Sequence, residues 1–510
     1  MASYAAIHST SSEHPTARRA SQTTRRGKLG QGPHGNASWI SSVINLANTI
    51  VGAGVLAMPH ALSNMGVTLG VFVIAWSALT SGFGLYLQTR CARYLDRGTA
   101  SFFALSQLTY PNAAILFDAA IAIKCFGVGV SYLIIIGDLM PGVVLGLVNQ
   151  SDLGSGAGFL LNREFWVTAF MLVVIPLSFL RRLDSLKYTS LVALVSIAYL
   201  IVLVVYHFGA GDTREERGQV EWFRWQGVLP TLASFPVVVF AYTCHQNMFS
   251  ILNEIRDNSP VSTSAVVFAS NGTACSMYVL VAITGYLSFG SNTAGNIVSQ
   301  YFPSVFSTIG RAAIVILVMF SYPLQVHPCR ASVDAVSKWR PPRRNKEFTP
   351  VGGSPSRTSL LAPVSGQAKI PVRRKPDDMS DLRFATITTA IIICSYTVAM
   401  TVSSLDKVLA YVGSTGSTSI SFILPGLFYY KISSPESPQH QRLLKDEDDD
   451  EYAHPRCPSG EETSGAWSTR VRGKQWRQEV LRKMSLALAG YGVLVMVVCL
   501  VTNTFFIVAH

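Results

Sequence analysis

The sequence predicts an all-α membrane protein of about eleven transmembrane helices. Three observations carry that prediction: only 14% of the 510 residues are charged, against roughly 25% in soluble domains; the mean hydropathy is +0.33; and apolar runs of about 20 residues recur, each able to cross a ~30 Å hydrocarbon core as a helix. Barrel strands would be about half as long and would alternate in polarity. The net charge of +12 is spread through the connectors, not gathered into a basic domain with interleaved aromatics. That distribution argues against a nucleic-acid partner and for the lipid bilayer as the surrounding medium.

The spans follow in order. The first five are expected near Ser38–Ala61, Val67–Gln88, Ala113–Leu147, Phe165–Leu180 and Leu186–Phe208. The next six are expected near Leu229–Leu252, Val261–Phe289, Phe306–His327, Phe384–Ser403, Lys407–Tyr430 and Met484–Val508. The third run is too long for an untilted span, so its ends tilt or protrude, bracketed by Pro111 and Pro141. The polar tail 1–37 carries no hydrophobic leader, so the first span is expected to do the targeting. Residues 38–430 then form a ten-helix core containing one cytosolic disordered connector, 329–383. A second such connector, 431–483, precedes the eleventh helix at 484–510.

Positive charge sets the orientation. Arg18, Arg19, Arg25, Arg26 and Lys28 in the tail, Arg90, Arg93 and Arg97 after span two, and Arg181, Arg182 and Lys187 after span four share one side. This places the N-terminus in the cytosol and, with an odd number of spans, the C-terminus on the lumenal face. Asn149-Gln150-Ser151 is then a non-cytosolic glycosylation acceptor, whereas Asn36-Ala37-Ser38 stays unmodified.

Within the first span, Asn48, Thr49, Ile50, Val51, Gly52, Ala53, Gly54 and Val55 run toward Pro59. Glycine and proline weaken a helix, and the backbone groups they free inside a membrane need new partners. A broken helix offers N–H groups to a carboxylate at the start of its second half, and freed carbonyls to an ammonium or cation. That pairing matches a zwitterionic amino acid; the alternative is a small-residue packing face. Span six, from Phe235-Pro236 through Phe240, Tyr242, Thr243, Cys244 and His245, is interrupted at the corresponding place of a second five-helix unit. The halves show no sequence identity, so the repeat rests on the spacing of the interruptions.

Asn48 through Pro59 with Asn64-Met65-Gly66, Pro236 through Asn247, and Lys124 through Pro141 resemble the amino acid/auxin permease family. Within it they resemble the fungal vacuolar amino acid transporters, which are similar to animal sodium-coupled neutral amino acid transporters. The resemblance implies a LeuT-like (APC-like) fold of five plus five inverted helices with an eleventh added. It also implies a proton or sodium driving force and a vacuolar membrane. Thr49 to Val55 would hold the substrate's backbone groups, and Phe240, Tyr242 and Thr243 would line the opposite wall. Span six lacks the glycine that often marks this break in the wider superfamily, so no residue marks the unwound segment, which is expected at about Ala241 to Thr243.

Ionisable groups inside spans are costly and often functional. Asp118, Lys124 and Asp138 in span three and His245 in span six are coupling-ion candidates, joined by Asn48 beside the first break. Asp138 also reads as interfacial, Lys124 as a structural or snorkelling cation, and His245 as a hydrogen-bonded structural residue. His60, His207 and His327 read as interfacial. The eight cysteines lack metal-ligand spacing, and no nucleotide loop, metalloprotease motif or nucleophile elbow occurs. No cofactor, metal or enzymatic activity is therefore expected. The leading function is proton-coupled export of neutral amino acids from vacuole to cytosol; the alternative is an amino acid sensor signalling through its cytosolic connectors.

Overall fold

The computed structural model describes residues 35–148, 158–181, 189–223, 225–338, 379–443 and 464–509. The Asn149 acceptor, the basic residues of the tail, and Pro350–Lys369 with most of both long connectors lie outside these ranges.

Apolar runs become helices where a cap or turn residue lets them begin. Helix α1 (Trp39–Ile50) starts at Ser38, whose hydroxyl accepts from the Ser41 N–H at 3.2 Å, satisfying a first-turn donor. Helices α2 (Gly54–Ser63) and α3 (Val67–Ala92) are joined through Gly66 at φ +79°, a backbone conformation that favours glycine. The chain continues through α4 (Phe102–Thr109), α5 (Ala114–Leu147), α6 (Arg163–Ser178), α7 (Thr189–Ala210), α8 (Val228–Ala241), α9 (His245–Glu254) and α10 (Pro260–Phe289). Then come α11 (Ile297–Gln300), α12 (Val305–Lys338), α13 (Asp381–Thr401), α14 (Leu405–Val412), α15 (Leu424–Ile432) and α16 (Ser464–Ala509). Two π-helical segments, Gly413–Ser417 and Ser419–Ile423, connect α14 to α15. Among the described residues no strand forms; one parallel bridge joins Ala37 to Ile255.

Among the described residues, eight helices are long and apolar enough to cross a membrane, and nine spans result when the bent pair α1–α2 counts as one. The other two expected spans coincide with α6, only 16 residues long, and with the π-interrupted α14–α15. Burial separates centre from rim. In the most apolar stretch of α5 and of α8–α9, 61% is buried, against 33% for α7, α13 and α16. On the rim, Leu79 at 68% and Leu172 at 78% exposure point outward, as lipid-facing side chains do.

Several expected boundaries move. Pro141, expected to bracket the third run, lies inside α5, which ends at Leu147 as expected, whereas α12 runs through Pro323 and Pro328 to Lys338, past the expected end at His327. Proline frees one carbonyl in a helix, and in a membrane bundle neighbouring groups take it over. Residues 329–338, expected in a connector, are therefore helical. Helix α16 likewise begins at Ser464, ahead of Met484, because its basic first part is polar enough to escape a hydropathy reading yet still favours helix.

Candidate functional site

The first span breaks where its glycines lie. Helices α1 and α2 meet at 55° across Val51, Gly52 and Ala53. The Val55 and Leu56 N–H groups tighten onto the carbonyls of Gly52 and Ala53 at 3.1 and 3.2 Å. Among the described residues no backbone acceptor meets the N–H groups of Ala53 and Gly54, and no side chain caps α2. Unpaired donors at a helix start, reinforced by the dipole, form an anion-binding end.

The sixth span breaks across Tyr242, Thr243 and Cys244, between α8 and α9. This is one residue later than expected, since Ala241 still closes α8. With no glycine present, surrounding elements hold the break open. Ser81 of α3 donates to the Tyr242 carbonyl at 3.2 Å, and Ser421 of the second π segment donates to the Thr243 hydroxyl at 3.2 Å. The ring of His245, fully buried, places Nε2 3.2 Å from the Ser81 carbonyl.

The two breaks touch. A Cβ at Gly54 would stand 2.6 Å from Ala241 Cβ and 2.8 Å from its Cα, so only glycine permits this approach. A Cβ at Gly52 would meet nothing within 4 Å. Gly54 thus serves contact between the helices, and Gly52 faces free space. Tyr278, fully buried on α10, sits over both breaks, with its hydroxyl 2.7 Å from the Ile50 carbonyl and 2.8 Å from that of Ala241. A hydroxyl has one proton, so it donates to one of these carbonyls at a time and leaves the other with an open acceptor position.

The expected residues separate into two groups. Ile50, Val51, Gly52, Ala53, Gly54 and Val55 form the first break and its edges, with Phe240, Tyr242 and Thr243 at the second. Asn48 and Thr49 lie in the last turn of α1, where the Thr49 hydroxyl donates to the Asn45 carbonyl at 2.8 Å. Lys124 is 4% exposed, and among the described residues no carboxylate pairs with it. Lys124 lies within electrostatic range of Cys125, Cys244 and His245, so it is coupled to the second break. Gly416 of the first π segment packs on the Lys124 backbone, where a Cβ would come within 2.8 Å.

Asp118 and Asp138 lie away from this point. Asp118 sits in the second turn of α5, ahead of Lys124, where Ser332 donates to its carboxylate at 3.5 Å. Asp138 faces Arg163 at 3.9 Å near the end of the bundle that carries the loop after α10. The sequence reading missed Tyr278, Ser81 and the π-helical segments. Of these only the π segments left a trace, the run Gly413-Ser414-Thr415-Gly416-Ser417-Thr418-Ser419 inside a span; π turns gather at functional sites.

A family model described as transmembrane amino acid transporter protein matches residues 35–447. The chain belongs to that family. It is 43% identical to vacuolar amino acid transporter 5 of Schizosaccharomyces pombe over 81% of this chain and 90% of the relative. It is 42% identical to vacuolar amino acid transporter 6 of Saccharomyces cerevisiae, over 78% and 91% of the two chains. A more distant relative, at 24% over 79% and 77%, is sodium-coupled neutral amino acid symporter 2 of Danio rerio. Among solved structures the transporter is similar to MhsT in complex with L-phenylalanine, with a TM-score of 0.52 and 12% identity over 91% of this chain and all of that one. It is also similar to inward-facing Mhp1, with a TM-score of 0.50 and 10% identity over 92% of each. At those identities the likeness concerns the fold alone. The transporter is thus an amino acid carrier, not an enzyme, in a five-plus-five inverted-repeat architecture with two broken helices at its centre.

Proposed function

We propose that this transporter carries neutral amino acids from the lumen of a vacuole into the cytosol, coupled to protons. One observation carries the substrate reading: unpaired N–H groups at Ala53 and Gly54 adjoin the open face of Gly52, while Tyr278 leaves one of two facing carbonyls without its proton. The substrate carboxylate binds the N–H groups at the start of α2, and its ammonium binds a freed carbonyl at Ile50 or Ala241. Phe240, Tyr242 and Thr243 line the opposite wall.

Proton coupling is supported by Lys124. A buried ammonium on α5, within electrostatic range of Cys244 and His245 at the second break, supplies fixed positive charge there without a bound metal cation, which favours the proton as the moving ion. Asp138, His245 and Asp118 are the residues weighed for it in the spans, with Asn48 beside the first break. The vacuolar location extends the names of the relatives above 40% identity. The cytosolic N-terminus rests on Arg90, Arg93, Arg97 and Arg181 sharing one side. For the sensing alternative, most of the connectors through which it would signal lies outside the described residues, and the relatives named above are transporters.

Purified transporter in liposomes, given a panel of labelled amino acids under separately imposed pH and sodium gradients, tests this. Uphill flux should follow the pH gradient and favour neutral substrates. Flux that follows sodium and ignores pH would overturn the coupling, and preference for charged substrates would overturn the specificity.

A further inference from the structure

At the end of the bundle away from Trp39, six chain segments converge on one imidazole and two carboxylates. His60 lies in the last turn of α2. Its Nδ1 is 2.7 Å from the Thr293 carbonyl in the loop after α10. A carbonyl only accepts, so Nδ1 carries the hydrogen. Nε2 lies 3.4 Å from the Asn64 side-chain amide, which also donates to Ser234 of α8 at 2.9 Å. On its other side, Nε2 faces Asp406 Oδ2 of α14 at 3.9 Å.

With His60 neutral, Nε2 presents a lone pair to a carboxylate that can only accept, and α2 and α14 are not bonded. One proton reverses this, because Nε2 becomes a donor and the facing groups become an ion pair. The surroundings make Asp406 the fixed partner. Ser404 donates to its Oδ1 at 2.8 Å, and a Cβ at Gly295 would come within 2.6 Å of the same oxygen, so the loop after α10 lies directly on this carboxylate. Asp138 of α5 is a second carboxylate within electrostatic range of Asp406, and Arg163 of α6 lies 3.9 Å from Asp138. Among the described residues, the ion pairs and electrostatic couplings at this cluster involve Asp406, Asp138 and Arg163. His60 and Asp406 are 26% and 29% exposed, so the pair remains open to protons from solution.

We propose that His60 and Asp406 form a proton-binding gate: a proton taken at His60 Nε2 ties α2 to α14 beneath the loop 293–295 and closes that mouth of the transporter. In the orientation proposed above this mouth faces the lumen, and acid there commits a loaded carrier to open toward the cytosol. Histidine changes charge between about pH 5 and 8, which suits an acidic compartment.

The test reads the gate without reading transport. A cysteine at Ala294, in the full-length transporter in liposomes, is labelled by a membrane-impermeant thiol reagent across that pH range. Labelling is expressed relative to the same cysteine in His60→Gln, so that thiol ionisation cancels. The ratio should fall several-fold from neutral to acid pH, and Asp406→Asn should behave as His60→Gln does. A ratio that stays flat would overturn the gate, as would an Asp406→Asn protein retaining the wild-type pH dependence. Because the gate rests on proton coupling only for its role in the cycle, amino acid flux under a pH gradient is measured on the same preparations. A pH-dependent ratio without proton-driven flux would keep the gate and remove the coupling.

Discussion

Gly54 and Ala241 press together so closely that the two broken spans are in main-chain contact: a Cβ on Gly54 would stand 2.8 Å from Ala241 Cα. Overpacking of a tight site typically costs about 1–3 kcal/mol. Gly54→Ala should therefore lower the melting temperature in detergent and reduce transport, whereas Gly52→Ala, facing free space, should leave the melting temperature unchanged and raise KM. Pairing Gly54→Ala with Ala241→Gly should recover part of the stability but not all, because the Cα remains in the way. Equal behaviour of the two single variants would refute the separation of contact from substrate space.

Tyr278 links the same breaks through one proton. Tyr278→Phe removes the donor and leaves two buried carbonyls facing a ring edge, at a typical cost of about 1–3 kcal/mol for the unsatisfied group. The expected outcome is a folded transporter whose turnover falls more than its substrate affinity, since the hydroxyl acts on the geometry of both broken helices. Thermal melting and separate measurement of kcat and KM check this; wild-type values for all three would remove Tyr278 from the site.

The legibility of these features differs residue by residue. The first break was readable because Gly52, Gly54 and Pro59 interrupt an apolar run, and any such interruption in a membrane demands new hydrogen-bond partners. The second was displaced by one residue because no glycine marks it; its position is fixed by Ser81 and Ser421, which reach it from other spans. Tyr278 could not be singled out, since Tyr286 two turns on has the same local setting and only tertiary contact distinguishes them. His60 read as interfacial and Asp406 was not singled out, since nothing local says that they face each other. The end of span eight failed where Pro328 stays inside α12, because the bundle supplies the partners that an isolated helix would lack.

Outside the membrane, Asp257 gives a pH-dependent prediction. Its Oδ1 accepts from the Ser259 N–H at 3.0 Å just before α10, and this bond holds its carboxyl below the usual carboxylate range. A lowered folded value means that the contribution is fully present above the unfolded value near 3.9 and disappears as pH falls through the folded one. Asp257→Asn should therefore lower the melting temperature slightly near neutral pH. The difference from wild type should vanish in strong acid. A gap that stays constant down to about pH 2, well below that unfolded value, would show that the lost charge is not responsible.

Lys124 sets stability against function. A buried ammonium without a carboxylate partner is costly to keep, and apolar replacement of buried charges is often neutral or stabilising by about 1–4 kcal/mol. Methionine fills a similar volume and keeps the contact with Gly416. Lys124→Met is therefore expected to melt at or above the wild-type temperature while losing at least about tenfold in proton-driven transport, equivalent to about 1.4 kcal/mol on the barrier. Lys124→Arg keeps a charge but adds a bulky planar head beside Cys244 and should also lose activity, though without the gain in stability. Melting curves and liposome flux on the same preparations give both quantities. A Lys124→Met protein that melts early and transports normally would reverse the assignment, making the lysine a structural support instead of the fixed cation of the transport site.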